Sequence, residues 1–478
     1  MKKKPNIIFL MSDQMNFEVM AKDGQIKMPN LDRLREDAVS CNNAHTVNAI
    51  CSPARASLMT GVLPHRHGMV DVTHAVPSYR AEYNYNLDTF SLALKQAGYS
   101  CSYYGKWHVE RKHCLEQFGY DEWETEKDIP KTSLTPTRRS VLKGVNGYPD
   151  RVMGGTYSEG IEASEEYYCY SKAIDFIERH KNMEQPFFTF ISTYAPHDPY
   201  TVPECICRMY DDVDIRLPES YWDSCLDKPR IYQRLRTVWD HTTEDDAKEI
   251  KRYYNSYCTL VDTQIGRLVS YLKENDLYEN TLIVVLSDHG DFQGAHGLFC
   301  KGVGSFEEGY HIPLVMKFPC STFKGDYDGL VTTCDIGPTV LEAAEVRPIL
   351  GNLDGISLLP ALKGVSGGRK VAMAEFFGQR YAVTQRLVWK DHRKYVFNGF
   401  DFDEYYDLEK DPHELFNLAG DPRYRADVAE LCTDMQREIA LSDDTTMNEA
   451  TYVMLRFAPV APSKVAKQTQ YEIYNKPF

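Results

Sequence analysis

No apolar run in this chain approaches the roughly 20 residues that a helix needs to cross a bilayer. No internal repeat or low-complexity tract breaks it up. Positive charge is in deficit, with 54 Lys and Arg against 69 Asp and Glu and a net charge of −15. That argues against a non-specific nucleic-acid binder, which needs Lys and Arg concentrated on one face. It does not exclude a locally basic pocket for an anion. A secretory signal is not expected at the amino terminus: after Met1-Lys2-Lys3-Lys4-Pro5 the apolar run is only Ile7 to Met11, and no small-residue cleavage site follows. The 13 cysteines are odd in number and without repeating spacing, which suits reduced thiols in a cytoplasmic protein. Cys205-x-Cys207 lacks the second close pair that a zinc site would require.

What is present is a chain of 478 residues, 43% hydrophobic and 26% charged, long enough for a large core. Strand and helix signals alternate through the first 365 residues or so, the pattern of an α/β fold with a mainly parallel sheet flanked by helices. Ile7 to Met11, Ser100 to Tyr104, Phe187 to Ser192, Leu282 to Ser287 and Ile312 to Phe318 are the predicted strands. Asp88 is the expected cap of a helix ending at Gly98, and Ser164 of one reaching about His180. Apolar residues from Ile250 to Leu272 recur three or four apart and predict a long helix over Glu244 to Lys273. Near Lys363 to Gly368 the composition becomes that of a linker. The expected division is therefore a catalytic domain over 1–365 and a subdomain over 366–478, with a small antiparallel sheet and a helix near Tyr424 to Ile439.

The strongest local signal is Cys51-Ser52-Pro53-Ala54-Arg55-Ala56-Ser57-Leu58-Met59-Thr60-Gly61. Pro53 suits the first turn of a helix, which places Cys51 at an N-terminus where free N–H groups favour negative charge. Arg55, four residues on, can share that face. A lone cysteine at such a place is more often a buried thiol. This stretch, however, resembles the sulfatase signature C-x-P-x-R-x-x-x-x-T-G at every fixed position. The resemblance implies that Cys51 is oxidised to formylglycine by a sulfatase-maturating enzyme, and that Arg55 holds it.

Gly98 to His108 is similar to the family's second signature, which begins G-Y and ends G-K-x-H, with Ser100-Cys101-Ser102 where a threonine is usual. A strand ending in a turn would put Lys106 and His108 on the C-terminal rim of the sheet, where open α/β sheets bind ligands. Leu286-Ser287-Asp288-His289 is again a strand ending in an acid, as is Ile7 to Asp13. Two carboxylates from distant strands could meet there around a hard cation, while His289 also admits Mn²⁺. The resemblance implies metal ligands Asp13, Gln14, Cys51, Asp288 and His289 and one divalent ion, Ca²⁺ first, with Mg²⁺ or Mn²⁺ as alternatives. Gln14 departs from the usual acid and lowers the site's charge by one. His197, in Tyr194-Ala195-Pro196-His197-Asp198-Pro199, matches the family's Pro-His-x-Pro element, and Lys301 its late sulfate-binding lysine.

By the same resemblance, a hydroxyl of the hydrated aldehyde attacks sulfur, with Arg55, Lys106 and Lys301 spreading charge and His197 or His108 protonating the leaving oxygen. A hydrolase of phosphonate monoesters or phosphodiesters in the same superfamily is the enzymatic alternative. A binding protein that keeps the fold is the non-catalytic one, although no nucleophile or metal ligand is missing. The long loops and the 12% aromatic content suggest a sulfated carbohydrate as substrate.

Overall fold

The computed structural model describes residues 4–465 apart from 23, 75–81, 145–148, 350–351, 366, 380 and 449. Met1 to Lys3, Ser366 of the expected linker and residues 466–478 lie outside the described residues.

An eight-stranded sheet forms the centre of the fold. In chain order its strands are β1 (Asn6–Ser12), β2 (Val39–Cys41), β3 (Ser100–Gly105), β4 (Glu122–Thr125), β5 (Phe187–Ser192), β6 (Thr281–Ser287), β7 (Leu314–Lys317) and β8 (Gly325–Tyr327). Across the sheet they run β8-β2-β7-β6-β1-β5-β3-β4. From β6 to β4 every pairing is parallel. β7 turns antiparallel to β6. β1 is buried along its whole length, which fits a central strand covered on both faces.

Alternation along β1 sends side chains to two cores. Ile8 and Leu10 join the core built on α3 (Glu165–His180) and α4 (Glu244–Glu274). Ile7, Phe9 and Met11 join the one that holds α1 (Cys51–Thr60) and α2 (Phe90–Gln96). α4 follows its predicted stripe, with Ile250, Tyr254, Val261, Ile265, Leu268 and Leu272 in one core. Thr243 and Asp246 close its first turn as a capping box. Ser164 caps α3 as expected. Asp88 does not cap α2: Thr89 does, accepting from the Leu92 N–H. The Thr89 hydroxyl is also fixed by the Phe118 carbonyl at 3.1 Å, which sets the helix start one residue later.

After residue 371, β9 (Ala372–Phe376), β10 (Gln385–Lys390), β11 (Arg393–Phe397) and β12 (Glu404–Asp407) form an antiparallel sheet in sequence order. α5 (Arg425–Leu441) covers it, packing Leu431, Cys432 and Met435 on Val388, Tyr395 and Phe397. The segment between Val109 and Gly160 contains a ribbon, Pro136–Leu142 with Arg151–Tyr157, extended by Tyr200–Pro203. Among the described residues no helix is long and apolar enough to cross a membrane.

Candidate active site

Strand register brings the site together. Ser12 pairs with Ser287 at the ends of β1 and β6, so the next residue of each strand, Asp13 and Asp288, leaves the same rim. Gly105 pairs with Ser192 on the neighbouring strands, and Lys106 follows it. Cys51 opens α1 against this rim, behind Ile50 in extended conformation. Four segments distant in sequence thus deliver an anion-forming thiol, two acids and a cation to one place.

Arg55 ties these parts from beneath. Its guanidinium donates to Asp288 Oδ2 at 2.7 Å, Asp13 Oδ2 at 3.0 Å, the Lys106 carbonyl at 2.7 Å and Ser192 Oγ at 2.8 Å. The side chain is 1% exposed. These four bonds go to the two carboxylates, one backbone carbonyl and one hydroxyl, so here it clamps the acids of the rim. Burial opposes its charge, but Asp288 and Asp13 raise its pKa further.

Around Cys51 Sγ the groups are basic. Lys301 Nζ lies at 2.7 Å, His289 Nε2 at 3.2 Å and Lys106 Nζ at 3.8 Å. Asp13 Oδ1 is 3.6 Å away. Burial alone would raise the thiol, yet Lys106, Lys301, His289 and the adjacent His108 hold it well below the ordinary thiol range. Burial and the Cys51 charge likewise work against an ionised Asp13, and Lys106, Lys301 and His197 overcome them. Lys106 makes its ion pair with Asp13 and sits over the Tyr194 ring at 4.5 Å. The pocket is therefore built to stabilise negative charge on residue 51 and on a group bound to it.

The donor set suits a divalent cation. One ligand atom each from Asp13, Cys51, Asp288 and His289 lies within 4.8 Å of all the others, and all four residues are buried. His289 Nδ1 faces the Gly290 carbonyl at 2.9 Å, which leaves Nε2 as the lone-pair nitrogen on the site side. Gln14 donates its amide N–H groups to Asp291 Oδ2 at 2.6 Å and Asp198 Oδ1 at 3.2 Å. Its Oε1 is buried and has no hydrogen-bond partner, the state expected of an oxygen reserved for a ligand.

The site opens into a cleft of about 670 Å³, whose lining includes Cys51, Lys106, His108, His197 and Lys301. The expected catalytic and metal-binding residues are thus in one place, with Asp13, Gln14, Asp288 and His289 beside Cys51 and Arg55 beneath. His197 Nδ1 donates to the Asp198 carbonyl at 2.6 Å, so its Nε2 is the basic nitrogen. Burial lowers the pKa of His108 and keeps it neutral. Cys205 and Cys207 are elsewhere, one exposed and one buried, and belong to no metal-type cluster among the described residues.

Sequence reading missed three contributors. His74 Nδ1 is 3.0 Å from His108 Nε2, and the two rings stack. Asp198 links Gln14 to Arg151, which meets its Oδ2 at 2.7 Å. Asp198 stood inside the quoted Pro-His motif and could have been noticed. His74 and Arg151 sit in segments without any motif, and only tertiary packing places them.

Known proteins bear the same pattern. The sulfatase family model matches residues 5–346, and the model described as N-sulphoglucosamine sulphohydrolase, C-terminal, matches residues 294–440. The uncharacterized sulfatase YidJ of Escherichia coli is 30% identical over 453 residues, spanning 89% of this chain and 85% of that protein. An N-acetylglucosamine-6-O-sulfatase of Bacteroides thetaiotaomicron is 26% identical over 532 residues, spanning 95% and 89%. A solved structure described as a complex with its substrate D-glucosamine-2-N,6-O-disulfate shares the fold, with a TM-score of 0.74 at 22% identity over 93% of this chain and 99% of that one. With the signature helix, the acid-tipped strands and the match over most of its length, this chain belongs to the sulfatase family.

Proposed function

We propose that this protein hydrolyses a sulfate monoester on a carbohydrate, R–O–SO₃⁻ and water giving R–OH and hydrogensulfate, after a sulfatase-maturating enzyme has oxidised Cys51 to formylglycine. The observation that carries the reading is the convergence of Lys301, Lys106 and His289 on Cys51 Sγ, at 2.7, 3.8 and 3.2 Å, over two clamped carboxylates. The family membership and the carbohydrate sulfatase among its relatives support it.

When present, the hydrated aldehyde of residue 51 supplies an oxygen nucleophile, and a divalent ion held by Asp13, Gln14, Asp288 and His289, with Ca²⁺ the first choice for oxygen donors, supplies Lewis acidity. The chain's own groups do the rest. Lys106 and Lys301 bind the sulfuryl oxygens and offset the charge that builds on them. Arg55 bridges Asp13 and Asp288 and fixes both carboxylates at the rim. His197, its Nδ1–H pinned by the Asp198 carbonyl, presents Nε2, which as the imidazolium gives its proton to the leaving oxygen and returns to the neutral ring. His108, neutral and beside residue 51, takes the proton of the hydroxyl there.

The test compares sulfate and phosphonate monoesters of one alcohol with the matured protein and its Cys51→Ala variant. Sulfate turnover that the variant loses supports the reading. Preference for the phosphonate moves the assignment to the phosphonate hydrolases of the superfamily, and turnover of neither ester leaves the binding-protein reading.

A further inference from the structure

The chain carries a net charge of −15, yet the cleft above Cys51 is bordered by cations. Most of them are engaged. Lys106 pairs with Asp13, and Lys301 lies on residue 51. Arg151 is tied to Asp198 and lies over the Trp239 ring at 5.2 Å. Two remain. Arg111 and Lys127 are exposed, line the same cleft, and have no hydrogen-bond or ion-pair partner among the described residues. They stand on the loops that leave β3 and β4, neighbouring parallel strands whose ends define the active rim. The nearby acid, Glu126, is engaged by the Trp107 N–H at 2.9 Å.

Unpaired cations that line a cleft have no local counter-charge, and a low-dielectric cleft focuses their field on an incoming anion. The sulfate to be cleaved belongs deeper, with Lys106 and Lys301, so it does not answer this charge. Another stretch of the lining, with Val238, Trp239 and Phe299, is apolar and aromatic, as ligand clefts commonly are. We propose that Arg111 and Lys127 form a second-anion subsite that selects esters bearing a further sulfate or carboxylate beside the sulfate that is cleaved.

This inference rests on the reading of the cleft as a sulfate ester hydrolase, and the test separates the two. The first readout is the ratio of kcat/KM for a disulfated hexosamine to that for its monosulfated counterpart, with a sulfated uronate disaccharide as the carboxylate arm. The ratio is expected to favour the dianions and to fall by about tenfold or more in the R111A/K127A double variant. R111K/K127R should retain it. The second readout needs no turnover: calorimetry on Cys51→Ala protein should show tighter binding of the dianion, weakened by the double variant and by salt. An unchanged ratio, or equal affinity with and without Arg111 and Lys127, overturns the subsite. No preference for the dianion while Arg111 and Lys127 are present, beside intact sulfate ester hydrolysis, overturns the subsite alone. A binding difference without hydrolysis of any sulfate ester supports the subsite and overturns the proposed reaction.

Discussion

His74 Nδ1 lies 3.0 Å from His108 Nε2 at the edge of the cleft, with the ring centroids 5.1 Å apart and the planes 20° from parallel. The contact fixes the orientation of the His108 ring and which of its nitrogens faces residue 51. His74 is then a positioning residue. H74A is expected to lower kcat by about tenfold with little change in KM, and H74N, which keeps a hydrogen-bonding group, to recover part of the loss. Equal kinetics for wild type and H74A would remove this role.

Arg55 is the buried counter-charge of two buried acids. Deleting it in R55A removes the buried guanidinium from Asp288 and one of the cations on Asp13, and unfolding free energy should drop by about 3–5 kcal/mol in chemical denaturation. R55K keeps the charge but cannot reproduce the four bonds made by the fork, so it should recover only part of that. A loss below 1 kcal/mol in R55A would mean that the carboxylates find protons or other partners at no cost.

Metal binding should appear as stabilisation. At a free concentration about a hundred times Kd, Ca²⁺ would add about 2.7 kcal/mol and raise Tm accordingly. Chelator should reverse the rise, and Asp13→Asn should abolish it. The same rise in Asp13→Asn would place the ion elsewhere.

A second charged cluster gives a pH signature far from the chemistry. His65 donates from Nδ1 to Glu375 Oε1 at 2.7 Å and from Nε2 to the Ser442 carbonyl at 3.0 Å, so both ring nitrogens carry protons. Burial opposes this charge, but Glu375 outweighs it and raises the pKa from 6.5 to about 9. The stabilisation, on the order of 3 kcal/mol at most, is complete below pH 6.5 and is lost as pH rises through about 9. Denaturant midpoints of wild type should decline across that window, and those of His65→Asn should not. Parallel profiles would show that His65 is neutral in the folded protein.

Much of the site was legible because strands that end in an acid or a lysine announce a rim. Asp13 and Asp288 each follow a buried, mostly apolar strand and Lys106 a buried strand of small and aromatic residues, and parallel pairing brings such ends level. The long stripe of α4 and the hairpins of the C-terminal sheet were equally plain. Other features depend on distant partners. β2 is three residues long and exists because β7 and β8 pair with it. The ribbon Pro136–Leu142 is mostly exposed and carries little hydrophobic alternation. The Arg55 clamp needed both acids, which arrive from strands 275 residues apart in pairing partners Ser12 and Ser287. Asp88 was one position from the true cap, because Asp88 and Thr89 are both good caps and only contact with Phe118 favours the second.

The most direct test of the central claim is the mass of the proteolytic peptide containing Cys51 after co-expression with a sulfatase-maturating enzyme. The account predicts a peptide that has lost sulfur and two hydrogens, gained oxygen, and forms a hydrazone with a hydrazide probe. A peptide that keeps its thiol despite a maturase active on a control sulfatase would contradict it.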